Sequence, residues 1–403
     1  MSTFVADSTA VAPHRYAVLD AWRGICALLV TVVHIPLAHR WLGAQWFENM
    51  QMFVDFFFVL SGFVMCHAYG HKLDEPVRYN SFMIRRFGRI WPLHAAILAG
   101  FVLLELVKLG AQVGLKLPMD GEAFTGPRSV ATLVSNVFLT QSFNLHGMTS
   151  WNGPAWSIGV EFYAYMVFGL VVFYAGMRTA AFAALATVGL AGVGLFAPNW
   201  IFTTHDYGFF RCLFGFFTGC LVYQAVQKGR PAWSGVTAEV AAVIVLVAFM
   251  LLTGRNATSL AAPIVFAGVV YVFAFERGPL SAALRTAPAQ ALGLWSYSIY
   301  MVHMLIFAVE KIALSVGEKV AALKLTSVVT PTGKFWTFNN GVLDTGFFAM
   351  QIALTLLASA ITYRLIEEPA RRWFARLADA YERKHAPSPQ GGLLATRMAG
   401  LVR

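Results

Sequence analysis

Charged residues and cysteines are both scarce in this sequence. Lys, Arg, Asp and Glu make up 12% of its 403 residues, whereas hydrophobic residues make up 58%. Soluble domains carry about twice that share of charge, so the composition excludes an ordinary soluble protein. The four cysteines, Cys26, Cys66, Cys212 and Cys220, lie in apolar stretches without CxxC spacing. This distribution is typical of small core residues and argues against a disulfide framework.

Several common catalytic motifs are also missing. The sequence contains no P-loop, no dinucleotide fingerprint and no GxSxG elbow. His67 and His71 are four residues apart, but no third ligand is placed nearby, so we expect no metal site. The alternating strands of roughly ten residues that form a membrane β-barrel are not seen either.

What the sequence does contain is a series of about ten apolar runs, each close to the roughly 20 residues that a helix needs to cross a bilayer. We therefore predict an all-α integral membrane protein, a bundle of about ten transmembrane helices. The predicted spans are 16–38, 50–70, 91–113, 155–175, 179–197, 208–227, 234–252, 258–276, 289–311 and 345–366.

The basic residues predict the orientation of this bundle. Lys and Arg accumulate in short loops on the cytoplasmic side, and a cytoplasmic N-terminus places 20 of the 30 basic residues there. We therefore expect both termini in the cytoplasm and a multi-pass protein of the inner cell membrane. The net charge of +10 is then explained by topology and by attraction to anionic membrane lipid, without a nucleic-acid partner.

The same reading divides the chain into three parts. Residues 1–15 are a polar cytoplasmic segment, 16–372 are the membrane domain, and 373–403 are a cytoplasmic tail expected to be disordered. The first span is expected to be retained rather than cleaved as a signal peptide. Two long connections, 112–154 and 312–344, fall on the outer side and are expected to be functional or mobile.

The first span contains both an arginine and a histidine. Arg23 and His34 are eleven residues apart, which is almost three helical turns, so they share one face with a rise of about 16 Å. Taken by itself, Arg23 fits two roles equally well, that of a functional residue and that of an anchor whose charged end extends to the membrane surface. His34 alone is consistent with an interhelical hydrogen bond, but a buried imidazole also suits a general base or a nucleophile.

The next two spans provide further polar candidates. Asp55 and Ser61 lie in the second span. The Ser61-Gly62 pair could instead serve helix packing, because a glycine lets a neighbouring helix approach closely. Arg85, Arg86 and Arg89 open the third span. Three guanidinium groups there are typical of an inner-face loop, and they are equally what a phosphate-bearing cofactor needs.

The later spans also contain ionisable side chains, whose burial in the hydrocarbon of the membrane costs free energy. Glu161 lies well inside the fourth span, which favours a functional role, and Arg211 enters the sixth span from its outer end. Ser296, Tyr300 and His303 share one face of the ninth span, where they either line a cavity or bond neighbouring helices. By contrast, Glu367 and Glu368 lie at the end of the tenth span among arginines, and we interpret both as solvated ion pairs.

Six segments that contain these residues occur in the order of the motifs of the acyltransferase 3 family, and the sequence resembles that family. Its members are multi-pass membrane acyltransferases that modify sugars and related acceptors. The resemblance covers about residues 16–372. The segments are LDAWRGICALLVTVVH, VDFFFVLSGFVM, RRFGRIWP, WSIGVEFYAYM, RCLFGFFTG and WSYSIYMVH.

This resemblance implies an O-acyltransferase that takes an acyl group, expected to be acetyl, from cytoplasmic acyl-CoA. Arg23, Arg85, Arg86 and Arg89 would bind the donor. His34 would be catalytic, assisted by Glu161, and no metal would take part. The acceptor would be a hydroxyl of a carbohydrate or lipid-linked glycan on the other side. The remaining cavity-lining candidates are Asp55, Ser61, Arg211, Tyr300 and His303.

Two points stay open at this stage. The sequence contains no soluble SGNH-type domain like that of some relatives, so we expect the protein to act alone or to hand its product to a separate transferase or polymer-assembly partner. The alternative function is a transporter or flippase in which Arg23, His34 and Glu161 line a substrate or proton path, and a structural scaffold is a third. An arginine cluster and a histidine on the same helix face favour the enzyme.

Overall fold

The computed structural model describes residues 14–37, 44–114, 116, 121–232, 234–320, 326–330 and 333–385. Within these residues the regular secondary structure is helical except for one antiparallel hairpin, β1 (Thr326–Thr330) and β2 (Gly333–Thr337). The helices are α1 (Ala17–Val33), α2 (Gln45–Glu48), α3 (Phe53–Tyr69), α4 (Pro76–Gly114), α5 (Val130–Val137), α6 (Trp156–Ala175), α7 (Thr179–Phe196), α8 (Gly208–Gln227), α9 (Val236–Leu252), α10 (Ala262–Phe273), α11 (Pro279–Leu284), α12 (Ala287–Val320), α13 (Gly341–Thr362) and α14 (Glu368–His385).

The predicted helical membrane bundle is confirmed at the level of fold class. Among the described residues, seven helical segments are long and apolar enough to cross a bilayer. Three other predicted spans correspond to the shorter helices α1, α9 and α10. The count of ten spans and the cytoplasmic position of both termini stay predictions. We call the side on which α1 begins the N-terminal face, and the side on which it ends the distal face.

Glycines allow the helices around the site to approach closely. A Cβ atom on Gly24 of α1 would lie 2.3 Å from the Leu292 carbonyl carbon of α12, and one on Gly62 of α3 would lie 1.8 Å from the Phe216 carbonyl oxygen of α8. Without side chains at these positions, the paired backbones pack tightly, as is usual in membranes. The expected contact at Gly62 is therefore present.

The segment after the last span is more ordered than the sequence suggested. The region 373–403 was expected to be disordered, but α14 continues to His385, and the rest of that region lies outside the described residues. Its helix is held against the start of α4, where Phe374 packs on Gly88 and Tyr381 bonds Asn80 at 2.9 Å. Packing against a neighbouring helix stabilises a segment whose polar composition alone indicated disorder.

Candidate active site

Three cavities follow one another from the N-terminal face into the bundle. The first, here named the basic vestibule, has a volume of about 700 Å³. The second, the central cavity, is narrow at about 110 Å³. The third, the His34 cavity, has a volume of about 400 Å³. Val64 lines both the vestibule and the central cavity, and Tyr300 lines both the central cavity and the His34 cavity. The three spaces are therefore neighbours in a line.

The basic vestibule is bordered by several cationic side chains. Arg15, Lys72, Arg78 and Arg85 all line it. Arg85 is ion-paired with Asp379 of α14, so the last helix forms part of the surroundings of this cavity. In the sequence, Arg15, Lys72 and Arg78 were counted only among the basic residues that predict the orientation in the membrane. Their common cavity could not be predicted, because it depends on how α1, α3 and α4 pack.

Three arginines enter the central cavity from two helices. Arg23 of α1 donates to Ser296 of α12 at 2.9 Å. Arg86 donates to the Tyr69 hydroxyl at 3.1 Å, while its buried Nε has no hydrogen-bond partner among the described residues. A buried donor without a partner is costly, so this group is available to a ligand.

The third arginine corrects an interpretation of the sequence. Arg89 is ion-paired with Glu367, which is 2% exposed and also accepts from Ser298 at 2.7 Å. The interpretation of Glu367 as a solvated pair was therefore wrong, although Glu368 does form an exposed pair with Arg372. The π-helical turn Tyr363–Glu367 precedes Glu368, so the two adjacent glutamates have different surroundings.

Glu161 faces the central cavity rather than His34. Its Oε1 accepts hydrogen bonds from the Ser61 hydroxyl and, at 2.6 Å, from the Tyr165 hydroxyl. The sequence correctly placed Glu161 and Ser61 at a polar site inside the bundle. The expectation that Glu161 assists His34 stays a prediction.

His34 lies at the end of α1, in the His34 cavity. Its Nδ1 is 2.7 Å from the Val30 carbonyl oxygen. Because a carbonyl can only accept, Nδ1 of the neutral ring must hold the proton, which leaves Nε2 able to accept one. This is the state that a general base requires.

A second histidine lies beside the first. The ring centroids of His34 and His303 are 5.4 Å apart, and His303 is fully buried. The His303 Nδ1 is 3.2 Å from the Ile299 carbonyl oxygen, and its buried Nε2 has no partner among the described residues. The parallel packing of α1 and α12 therefore brings together two predicted residues that are 269 positions apart in the chain.

Asp55 and Arg211 form an ion pair at the base of the His34 cavity. Arg211 donates to both Asp55 oxygens, at 2.9 and 2.8 Å, and to the Thr203 carbonyl at 2.9 Å. Its guanidinium also lies 5.0 Å from the centre of the Trp156 ring. Since Arg211 lines the cavity while Asp55 is fully buried behind it, the pair shapes the cavity without leaving a net charge there.

The remaining wall of the His34 cavity comes from connecting segments. Thr149, Asn199, Thr204 and Arg255 line it together with aromatic Trp156 and Phe202. Thr149 belongs to the long connection 112–154, which was expected to be functional or mobile. No single-sequence signal identified Arg255 or Asn199, because they belong to loops whose position only the fold determines. No group of residues suited to a metal ion is found in the described part of the chain.

These features define a multi-pass helical membrane protein with a polar site buried between its helices. A family model for an acyltransferase domain, acyltransferase 3, matches residues 16–364. The chain therefore belongs to this acyltransferase family, as the motifs indicated.

Two curated proteins are similar to it. Acyltransferase MdmB of Streptomyces mycarofaciens is 23% identical over 80% of this chain and 81% of that protein. Protein 2 in picA locus of Rhizobium radiobacter is 33% identical over 36% of this chain and 76% of that protein. No solved structure matches the chain.

Proposed function

We propose that this protein is an O-acyltransferase that moves an acetyl group from acetyl-CoA to a hydroxyl of a carbohydrate-containing acceptor. The observation that supports it best is the line of three cavities in a member of an acyltransferase family, with arginines in the first two and His34 in the third. Such a line suits two substrates that approach from opposite faces and react between them.

The arginines fit the charged end of the donor. Arg85 at the vestibule, with Arg23, Arg86 and Arg89 further in, offers guanidinium groups to the phosphates of coenzyme A. The vestibule has room for the adenosine part of the donor, and the smaller central cavity would hold the phosphates at its arginines and the pantetheine arm beyond them. Glu161, placed along that arm with Ser61 and Tyr165, would accept its amide N–H groups.

His34 fits the acceptor end. In this proposal its Nε2 takes the proton of the acceptor hydroxyl while the oxygen attacks the thioester carbon, the C–S bond breaks, and the thiolate leaves and is protonated to the free thiol. The aromatic rings and the amide and hydroxyl groups of the His34 cavity suit a sugar. Holding both reactants in one enclosed site supplies a large part of the rate gain.

The proposal places the vestibule in the cytoplasm and the His34 cavity toward the outer side of the inner cell membrane. This orientation agrees with the basic-residue bias of the sequence. A lipid-linked glycan could then reach His34 from the membrane or from the distal face. A separate transferase or polymer-assembly protein could receive the product.

The test uses purified full-length protein in lipid nanodiscs with radiolabelled acetyl-CoA. Equilibrium dialysis measures donor binding, and label transfer is measured to lipid-linked sugars and to free glycosides. We expect His34→Ala to bind the donor like the wild type and to lose transfer by at least about 100-fold. His146→Ala, in a loop outside the three cavities, is the matched histidine control and should retain both.

Two results would count against this proposal. Full transfer by His34→Ala would exclude the proposed role of the histidine. Failure of the wild type to bind any coenzyme A ester would favour the alternative, a transporter or flippase, in which the same cavities form a substrate path.

A further inference from the structure

Tyr300 stands at the boundary between the two inner cavities. On α12 it lies one turn beyond Ser296 and Tyr297, which line the central cavity, and one turn before Met304, which lines the His34 cavity. Its side chain lines both spaces and is 4% exposed. Among the described residues, Tyr300 is the one that the lining of the central cavity and the lining of the His34 cavity have in common.

The Tyr300 ring is fixed from two sides. Its hydroxyl donates to the Pro154 carbonyl at 2.9 Å and is paired with the Ser157 hydroxyl at 2.8 Å. Ser157 lines the central cavity and Pro154 lines the His34 cavity, so this pair of bonds extends across the boundary. On the α3 side, the Phe57 ring meets Tyr300 edge to face with centroids 5.7 Å apart.

We infer that Tyr300, together with Phe57, selects the size of the transferred acyl group. The inference rests on the proposed function, because it requires a thioester that enters from the central cavity. The acyl carbon, the acceptor oxygen and His34 can meet only where the two cavities join, so the acyl chain must lie against these two rings. A fixed aromatic wall favours a short chain and excludes a longer one, since each added methylene needs space that the rings occupy.

The same wall separates the thioester from water in the His34 cavity. When no acceptor is present, water that reaches the acyl carbon adds to it, the C–S bond breaks, and free acid and free thiol form. A smaller residue at position 300 should therefore widen the acyl range and increase this hydrolysis together. A purely structural role of Tyr300 would lower donor binding and activity without changing the preference between acyl groups.

The experiment compares acetyl-CoA with butanoyl-CoA on the wild type, Tyr300→Ala and Tyr300→Phe in nanodiscs. Thiol release is followed with a chromogenic disulfide reagent in the absence of acceptor, and donor affinity is measured by dialysis. For the wild type we expect release from acetyl-CoA to exceed release from butanoyl-CoA by about tenfold or more. Tyr300→Ala should reduce this ratio by about tenfold and raise total release. Tyr300→Phe retains the ring and should retain the ratio.

Phe57→Ala provides an independent variant, because it opens the same boundary from α3 without touching α12. It should shift the ratio in the same direction as Tyr300→Ala. If both alanine variants bind donor and keep the wild-type ratio, or if neither releases thiol, the selection by Tyr300 is wrong. If instead the wild type binds neither ester, it is the proposed function that fails.

Discussion

His34 and His303 lie beside each other across the contact between α1 and α12, with ring centroids 5.4 Å apart, ring planes inclined by 50° and a backbone carbonyl fixing Nδ1 of each ring. The two rings have the same hydrogen-bond arrangement, but only His34 lines the cavity. His303 is therefore placed to position its neighbour rather than to touch the acceptor.

Substitution of His303 tests this positioning role. His303→Gln should lower kcat by about tenfold, a loss of about 1.4 kcal/mol in transition-state stabilisation, because the His34 ring loses its packing partner. The Michaelis constant for the donor should change little, since the arginines are untouched. Steady-state transfer assays at varied acetyl-CoA measure both constants. A large rise in the donor Michaelis constant with unchanged kcat would contradict the assignment.

The Asp55–Arg211 pair should dominate local stability. Asp55→Asn leaves a fully buried guanidinium without its counter-charge, and such a loss typically costs about 3–5 kcal/mol. We expect a clearly lower Tm in nanodiscs or detergent. Asp74→Asn removes the exposed partner of Arg78 and is the matched control, with an expected effect of at most about 1 kcal/mol. Equal shifts in Tm for the two variants would refute this ranking.

The arginines should differ in their effect on donor binding. Arg86→Ala and Arg89→Ala should raise the donor Michaelis constant more than they lower kcat, because both groups line the central cavity. Arg85→Ala should have a smaller effect, since Arg85 lines the wider vestibule rather than the central cavity. Arg230→Ala is the control, because Arg230 lines none of the three cavities and donates to Ser234. An unchanged Michaelis constant in both Arg86→Ala and Arg89→Ala would exclude their phosphate role.

Gly62 provides a test of helix packing. Gly62→Ala places a Cβ atom 1.8 Å from the Phe216 carbonyl oxygen, so α3 and α8 must separate, and we expect a loss of about 1–3 kcal/mol. Gly110→Ala in α4 meets nothing within 4 Å and should be neutral or stabilising by up to about 1 kcal/mol. Thermal unfolding of both variants measures the difference. A Gly62→Ala protein as stable as wild type would show that the two backbones can separate without cost.

The sequence alone predicted the residues of the site better than their partners. His34, Glu161, Arg23, Arg86 and Arg89 could be selected as candidates because a polar side chain in an apolar helix is rare and costly, a property visible in the sequence. The hydrogen bonds of Glu161 with Ser61 and Tyr165 were not predicted, because the sequence does not say which helix faces each of these side chains. Glu367 was misread for the same reason, since its exposure depends on the packing of α4 and α12 around it.

Composition and hydropathy therefore determined that this chain is a helical membrane protein, and the order of its polar motifs determined the family. The tertiary structure decided which side chains share a space. Parallel packing of α1 with α12 placed His34 beside His303, and the boundary at Tyr300 separated the three arginines of the central cavity from His34. Such contacts arise between residues hundreds of positions apart, through backbone approaches that periodicity within a single helix cannot specify.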